Sequence, residues 1–431
     1  PGLADAALLR GMSRLLGGAA LIAALAVAVP WLAAAGAGDT AFTDAERAAV
    51  RALAVPPGHT PPEVPDPALA EFGQRLFFDR RLSGDGRFSC ASCHQPERAF
   101  TDGLALPEAA GRGHRNTPTL INVADNPWFQ WDGAADSLWS QMLLVIENPR
   151  ELDNDRLNLA HTLYRNKDLR AAYRRRFGPL PPMSEGGRFP AHGSPQAASD
   201  SPEGRAWRRM AAADQDAVNR VMANLGVALA AWQRRLVRYD SPFDRFAAAL
   251  ADNPDPPPDD AFPAAARRGL KLFVGEAQCA LCHSGPDFSN QAFHNLGVPV
   301  TDHRDTGREQ GLRRLAASPF NAAGPYAGDD GDADRLRFLP PPASPRGAFK
   351  TPSLRNVART APYFHDGRFA TLEQAVRFYL EPPDGETLGK REDTLDLIPD
   401  LTDRQVADLV AFLKTLNSAP LPEAVTAPPS P

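Results

Sequence analysis

"SCASCH" (89–94) and "QCALCH" (278–283) decide how this chain is read. Each carries Cys-x-x-Cys-His, and all four cysteines of the chain fall in the two copies: Cys90 and Cys93 with His94, Cys279 and Cys282 with His283. Two cysteines three apart share one helical turn and can form thioethers to the two vinyl groups of haem, while the next residue, His, can face the iron as its axial ligand. A thioredoxin-like site uses Cys-x-x-Cys, but rarely with His next and not twice. A four-cysteine zinc site leaves both histidines without a role. A disulfide across three residues is strained. The motifs therefore predict two covalently bound c-type haems.

Outward from the motifs, the chain repeats itself. "GQRLFFDRRLSGDGRFSCASCH" (73–94) is echoed by "GLKLFVGEAQCALCH" (269–283), which implies two homologous haem domains. Apolar residues recur at helical spacing in 43–53, in about 214–238, in "TLEQAVRFY" (371–379) and in 401–417, with capping boxes Thr43/Glu46, Thr371/Gln374 and Thr402/Gln405. No convincing alternating strand run is present. The fold class expected is mainly α, with two cytochrome c-like domains. The expected division is a leader over 1–38, an N-terminal peroxidatic haem domain over 39–210, a C-terminal electron-transfer haem domain over 211–417, and a disordered tail over 418–431.

Composition narrows the function. The chain has 431 residues, 43% of them hydrophobic, enough for two or three domains. A net charge of −5 gives no basic footprint for nucleic acid, and none is expected as a partner. Only five of the 47 basic residues are Lys, and the chain holds 43 Pro, the signature of a GC-rich genome rather than of a binding patch. "MSRLLGGAALIAALAVAVPWLAAAGAGD" (12–39) has a basic start, a long apolar run and small residues before Asp39, the layout of a secretory signal peptide, with 1–11 ahead of the start it implies. The run is also long enough for an uncleaved membrane anchor. Either reading exports the protein, to the periplasm, and membrane contact is expected only with the anchor.

Each haem iron has a sixth position. In electron-transfer cytochromes c it is often Met, yet all five methionines precede the second motif. Downstream donors are His294, His303, His365, Tyr326, Tyr363 and Tyr379. By periodicity alone Tyr379 belongs to the apolar stripe of 371–379 and reads as a core tyrosine.

The ordered blocks "LFFDRRLSGDGRFSCASCH", "RNTPTLINV", "WDGAADSLWSQ", "ENPREL", "GLKLF", "FHNLG", "TPSLRNVARTAPYFHDG" and "TLEQAVRFY" resemble the bacterial dihaem cytochrome c peroxidases and their relative MauG, over nearly all of 65–417. "WFQWDGAADSLWSQMLLVIENPREL" is similar also to the methanobactin-associated, MbnH-like branch. The resemblance implies peroxide chemistry at the first haem, with Glu151 as acid/base and Gln141 as distal amide. It implies Trp131 between the haems, and Tyr379 as second-haem ligand, fourteen residues after His365, where the peroxidases place Met. A phenolate favours the higher oxidation states of iron, the opposite bias to Met. It also implies an inter-haem Ca2+ on Asn116 and the carbonyls of Thr360 and Pro362. Glu147 reads as solvent-exposed or structural. Trp128, Trp139, Trp207 and Trp232 read as packing residues, and His294 and His365 as polar packing near haem edges.

Three departures limit the likeness. Val145 stands where the family often has Pro. His114 lies only two residues before Asn116, so it reads as a loop histidine and the first haem as permanently open. Ala277 and Gln278 stand where MauG has a Trp shortly before its second motif, so oxidising equivalents leave by another route. The expected function is oxidation of a partner protein by hydrogen peroxide through long-range electron transfer. The alternatives are conventional peroxide reduction with electrons from a small cytochrome or cupredoxin, and a non-enzymatic dihaem carrier.

Overall fold

The structure, a computed structural model, describes residues 41–429 apart from 57, 60–65, 258, 329–332 and 342. The signal-peptide reading lies outside these residues. Among the described residues no helix is long and apolar enough to cross a membrane.

The internal repeat becomes a repeated helix crossing. In the first half, Pro67–Phe78 packs on Ala212–Gln233; in the second, Ala264–Val274 packs on Asp403–Lys414. The glycine shared by "GQRLF" and "GLKLF" sits at each crossing. A Cβ at Gly73 would lie 1.9 Å from the Ala228 carbonyl oxygen, and one at Gly269 1.9 Å from that of Asp408. Only glycine admits backbones so close. The Phe four residues later fills each core: Phe77 lies 4.2 Å from Trp232, and Phe273 5.1 Å from Phe412, between ring centroids.

The helix ends follow their sequence signals. Asp66 caps the first helix through Ala68 and Leu69 N–H, and the three expected capping boxes are all formed. The helix around 371–379 is shorter than its stripe, Leu372–Arg377, so Tyr379 lies in the turn beyond it. Among the described residues, strand structure is confined to Phe293–His294 paired antiparallel with Phe349–Lys350. Lys350 N–H also donates to the Trp131 carbonyl (2.8 Å), which ties this ribbon to the first half.

The division at 210/211 needs correction. It cuts ahead of Ala212–Gln233, whose Val218, Val221, Met222, Leu225, Leu229 and Trp232 are buried in the first core. The second core begins at Phe243 and recruits the early helix Asp44–Leu53, through Phe42, Val50 and Leu53. The tail is corrected too: a short helix forms over Glu423–Thr426 and Val425 is buried in the first core. Gln74 Nε2 donates to the Ala424 and Ala427 carbonyls (2.9 and 2.7 Å), and Trp232 Nε1 to that of Val425 (3.1 Å). These bonds satisfy polar atoms that burial otherwise leaves unpaired, which outweighs the entropy that a proline-rich end suggests.

Candidate functional site

Each motif prepares its histidine in the same way. Cys90–Cys93 form a single helical turn with a Ser89/Ser92 capping box, and Cys279–Leu281 a tighter turn. His94 Nδ1 lies 3.0 Å from the Phe100 carbonyl, and His283 Nδ1 2.9 Å from that of Phe288. A carbonyl only accepts, so Nδ1 carries the proton and Nε2 keeps its lone pair for a metal. Both phenylalanines pay for this orientation in backbone strain: φ is +61° at Phe100 and +51° at Phe288, left-handed values that bulky residues avoid. Burial pushes both imidazoles below their usual range, His283 to about 4, which keeps them neutral as metal binding requires.

The surroundings of the second motif fit a haem. A cavity of about 320 Å³ runs from the second motif toward the first half, lined by Cys279, Cys282, His283 and Tyr379 with apolar walls such as Val376 and Leu409. The cysteines are unbridged. Neutral His with a free Nε2 beside a paired thiol donor set is what covalent haem attachment needs.

Opposite the motifs the two halves differ. Glu151 lies within electrostatic reach of Cys90 and Cys93. Burial raises its carboxyl to about 7, against the opposing pull of Arg314 and a hydrogen bond from Asn148 Nδ2 (2.8 Å). Gln141 is buried, and its Nε2 donates to Gln233 Oε1 (3.1 Å). In the second half the corresponding polar atom is the Tyr379 hydroxyl. It has no hydrogen-bond partner among the described residues, and burial together with the Cys279 and Cys282 thiols pushes its proton affinity up. 

Trp131 lines the cavity and donates from Nε1 to the Asn116 carbonyl (2.8 Å). Asn116, Thr360 and Pro362 line the same cavity. Asn116 N–H donates to the His365 carbonyl (2.7 Å), and its Nδ2 to that of Leu104 (2.8 Å), so the amide oxygen is the atom left for a cation.

The remaining readings sort as follows. His114 meets Arg150 Nη1 at 3.2 Å, away from the large cavity. His294 pairs with Glu392 (2.8 Å), and His365 stacks on Phe349 with centroids 3.6 Å apart; both line the cavity. Glu147 is not exposed: it is buried in an ion pair with Arg156 (2.6 Å) and accepts from Ser194, a structural role. Trp207 packs under the Arg156 guanidinium and Trp139 against Phe320. Trp128 packs between Phe293 and Arg308, and also lines the cavity. Sequence reasoning missed Phe100 and Phe288, whose only signal is a Phe six and five residues after each motif histidine. It also missed Arg314 and Gln233, which carry no local signal.

A two-lobed helical fold with a haem-binding Cys-x-x-Cys-His in each lobe defines a dihaem c-type cytochrome, and comparison with known proteins specifies which kind. The di-haem cytochrome c peroxidase family matches residues 67–252. MauG of Methylorubrum extorquens is 32% identical, over 85% of this chain and 82% of its own length. Cytochrome-c peroxidase IdrP1 of Denitromonas iodatirespirans is 33% identical, over 87% and 90%. Among solved structures, a MauG-like protein associated with microbial copper homeostasis aligns with TM-score 0.59 at 27% identity, covering 87% of this chain and 98% of that one. The dihaem peroxidase BthA of Burkholderia thailandensis aligns with TM-score 0.59 at 25% identity, covering 87% and 92%. The chain belongs to the di-haem cytochrome c peroxidase/MauG family: it is a peroxidase-type oxidoreductase carrying two c-type haems.

Proposed function

We propose that this is a periplasmic enzyme of the MauG-like kind, which uses hydrogen peroxide to oxidise a partner, a protein in the first instance, over a distance. The observation that carries the reading is the asymmetry at the two motifs: a carboxyl that burial raises to about 7 on one side, a half-buried phenol without a hydrogen-bond partner among the described residues on the other. The haems, when bound, supply the iron that accepts peroxide and stores two oxidising equivalents. Glu151 takes the proton from peroxide and returns it to the departing oxygen, which a group with its affinity near ambient pH does best. Gln141, steadied by Gln233, orients peroxide with its amide. Tyr379 would hold the iron of the second haem through its hydroxyl, as a phenolate, and such a donor would favour oxidised iron. Trp131 bridges the two sites, held by Asn116. Asn116 and the carbonyls of Thr360 and Pro362 would hold a Ca2+, which would keep the bridge in register. The export signal supports the periplasm, where c-type haem is attached.

The test is spectroscopy of the ferric holoprotein before and after stoichiometric peroxide, in wild type and Tyr379→Phe. The expected result is a high-spin first haem that responds to peroxide without prior reduction, and a long-lived oxidised state that Tyr379→Phe shortens. Brisk turnover with a reduced small cytochrome and no stored state favours the conventional peroxidase instead.

A further inference from the structure

The expected tryptophan exit is missing, with Ala277 and Gln278 before the second motif. Another aromatic residue is wired to the second histidine. Tyr239 Oη donates to Asp287 Oδ1 at 3.0 Å. Asp287 is followed by Phe288, whose carbonyl accepts from His283 Nδ1 at 2.9 Å. Two hydrogen bonds and one stretch of backbone thus join the phenol to the axial imidazole. On its other side the half-buried Tyr239 ring meets the exposed His59 edge-on, with centroids 5.3 Å apart. The ring therefore reaches from the haem-side network to the protein surface.

We propose that Tyr239 is the relay by which oxidising equivalents leave the second haem site, with Asp287 as its proton acceptor. The inference rests on the peroxide reading above. In each relay step Tyr239 gives one electron to the peroxide-oxidised haem site and its phenolic proton to the Asp287 carboxylate, leaving a neutral tyrosyl radical and a protonated Asp287. A reductant at the surface returns one electron, the proton goes back, and two such cycles use the two equivalents that one peroxide supplies. The surroundings require this coupling. The Arg355 guanidinium lies over the Tyr239 ring at 5.0 Å, so a ring left positively charged is disfavoured and oxidation must release the proton. Asp287 is suited to take it, because burial raises its proton affinity, with the Asp125 carboxylate adding to the effect and the Tyr239 hydrogen bond, Arg355 and His59 opposing it. Lys350 completes the charged groups around it.

The test adds stoichiometric hydrogen peroxide to the full-length holoprotein in the presence of a nitroso spin trap. Haem absorbance is followed, and the trapped adduct is located by mass spectrometry. Expected are an adduct on Tyr239 in wild type and none there in Tyr239→Phe, where the oxidised haem state decays at least tenfold more slowly. Asp287→Asn keeps the ring but removes the acceptor, and is expected to slow the decay likewise with a lower adduct yield. A normal spectral response with decay and adduct pattern unchanged by both substitutions overturns the relay alone. No haem response to peroxide in wild type overturns the peroxide reading, and the relay with it.

Discussion

The two haem lobes share everything up to the imidazole and almost nothing beyond it. Gly73 and Gly269 make the same crossing, Phe77 and Phe273 the same core contact, and Phe100 and Phe288 offer the same strained carbonyl to His94 and His283. Past that plane, one lobe presents a carboxyl and an amide, the other a phenol in an apolar wall. The conserved half thus sets attachment and imidazole tautomer, which any c-type haem needs. On the proposed function, the divergent half is what lets one site handle protons and the other hold charge.

The largest effect is expected from removing the proton-handling side. Glu151→Gln should slow the peroxide reaction of the holoprotein by about 10²–10⁴-fold, measured by stopped flow, with both haem spectra intact at rest. Wild type should gain rate as pH rises and level off above about 7, because the carboxylate is the form that accepts peroxide's proton; the variant should show no such inflection. Next, Tyr379→Phe should raise the second haem's midpoint potential by ~0.1 V or more, within the ~0.8 V that axial ligands span, and leave the first haem's potential unmoved in spectroelectrochemistry. If both potentials moved together, the lobes would not be divided as described.

A smaller effect tests which lobe the C-terminal segment serves. Truncation after Ala419 removes the bonds to Gln74 and Trp232 and exposes the site of Val425. It should cost about 2–4 kcal/mol in denaturant unfolding, with spectral changes at the first haem before the second. Smallest, Arg314→Ala withdraws a partly exposed positive charge that holds Glu151 down, and should move the inflection near pH 7 upward by less than ~1 unit. A downward move contradicts the placement of Arg314.

Much of this was legible in the sequence, because it depends on short-range chemistry. The Cys-x-x-Cys-His runs, the capping boxes and the Gly-x-x-Leu-Phe echo each act within a few residues, and the fold follows from them. The lobe boundary was not legible, since Ala212–Gln233 has the same periodicity whichever lobe it packs on; its partner is chosen by the approach at Gly73. The C-terminal segment misled because proline-rich composition predicts disorder, while its ordering comes from Gln74 and Trp232, roughly 350 and 193 positions upstream. At the site, Glu151 could be named from its motif, but its proton affinity comes from burial and from Arg314, neither visible in "ENPREL". Glu147, four residues earlier in the same run, read as exposed or structural, and its ion pair with Arg156 decides for the structural role.

The exchange of terminal segments has a consequence for biogenesis. The second lobe borrows Asp44–Leu53 from the beginning of the described chain, and the first borrows Val425 from near its end. The first lobe therefore completes its core only when the last segment has been made, whereas the helix that the second lobe borrows is already there when that lobe's own residues arrive.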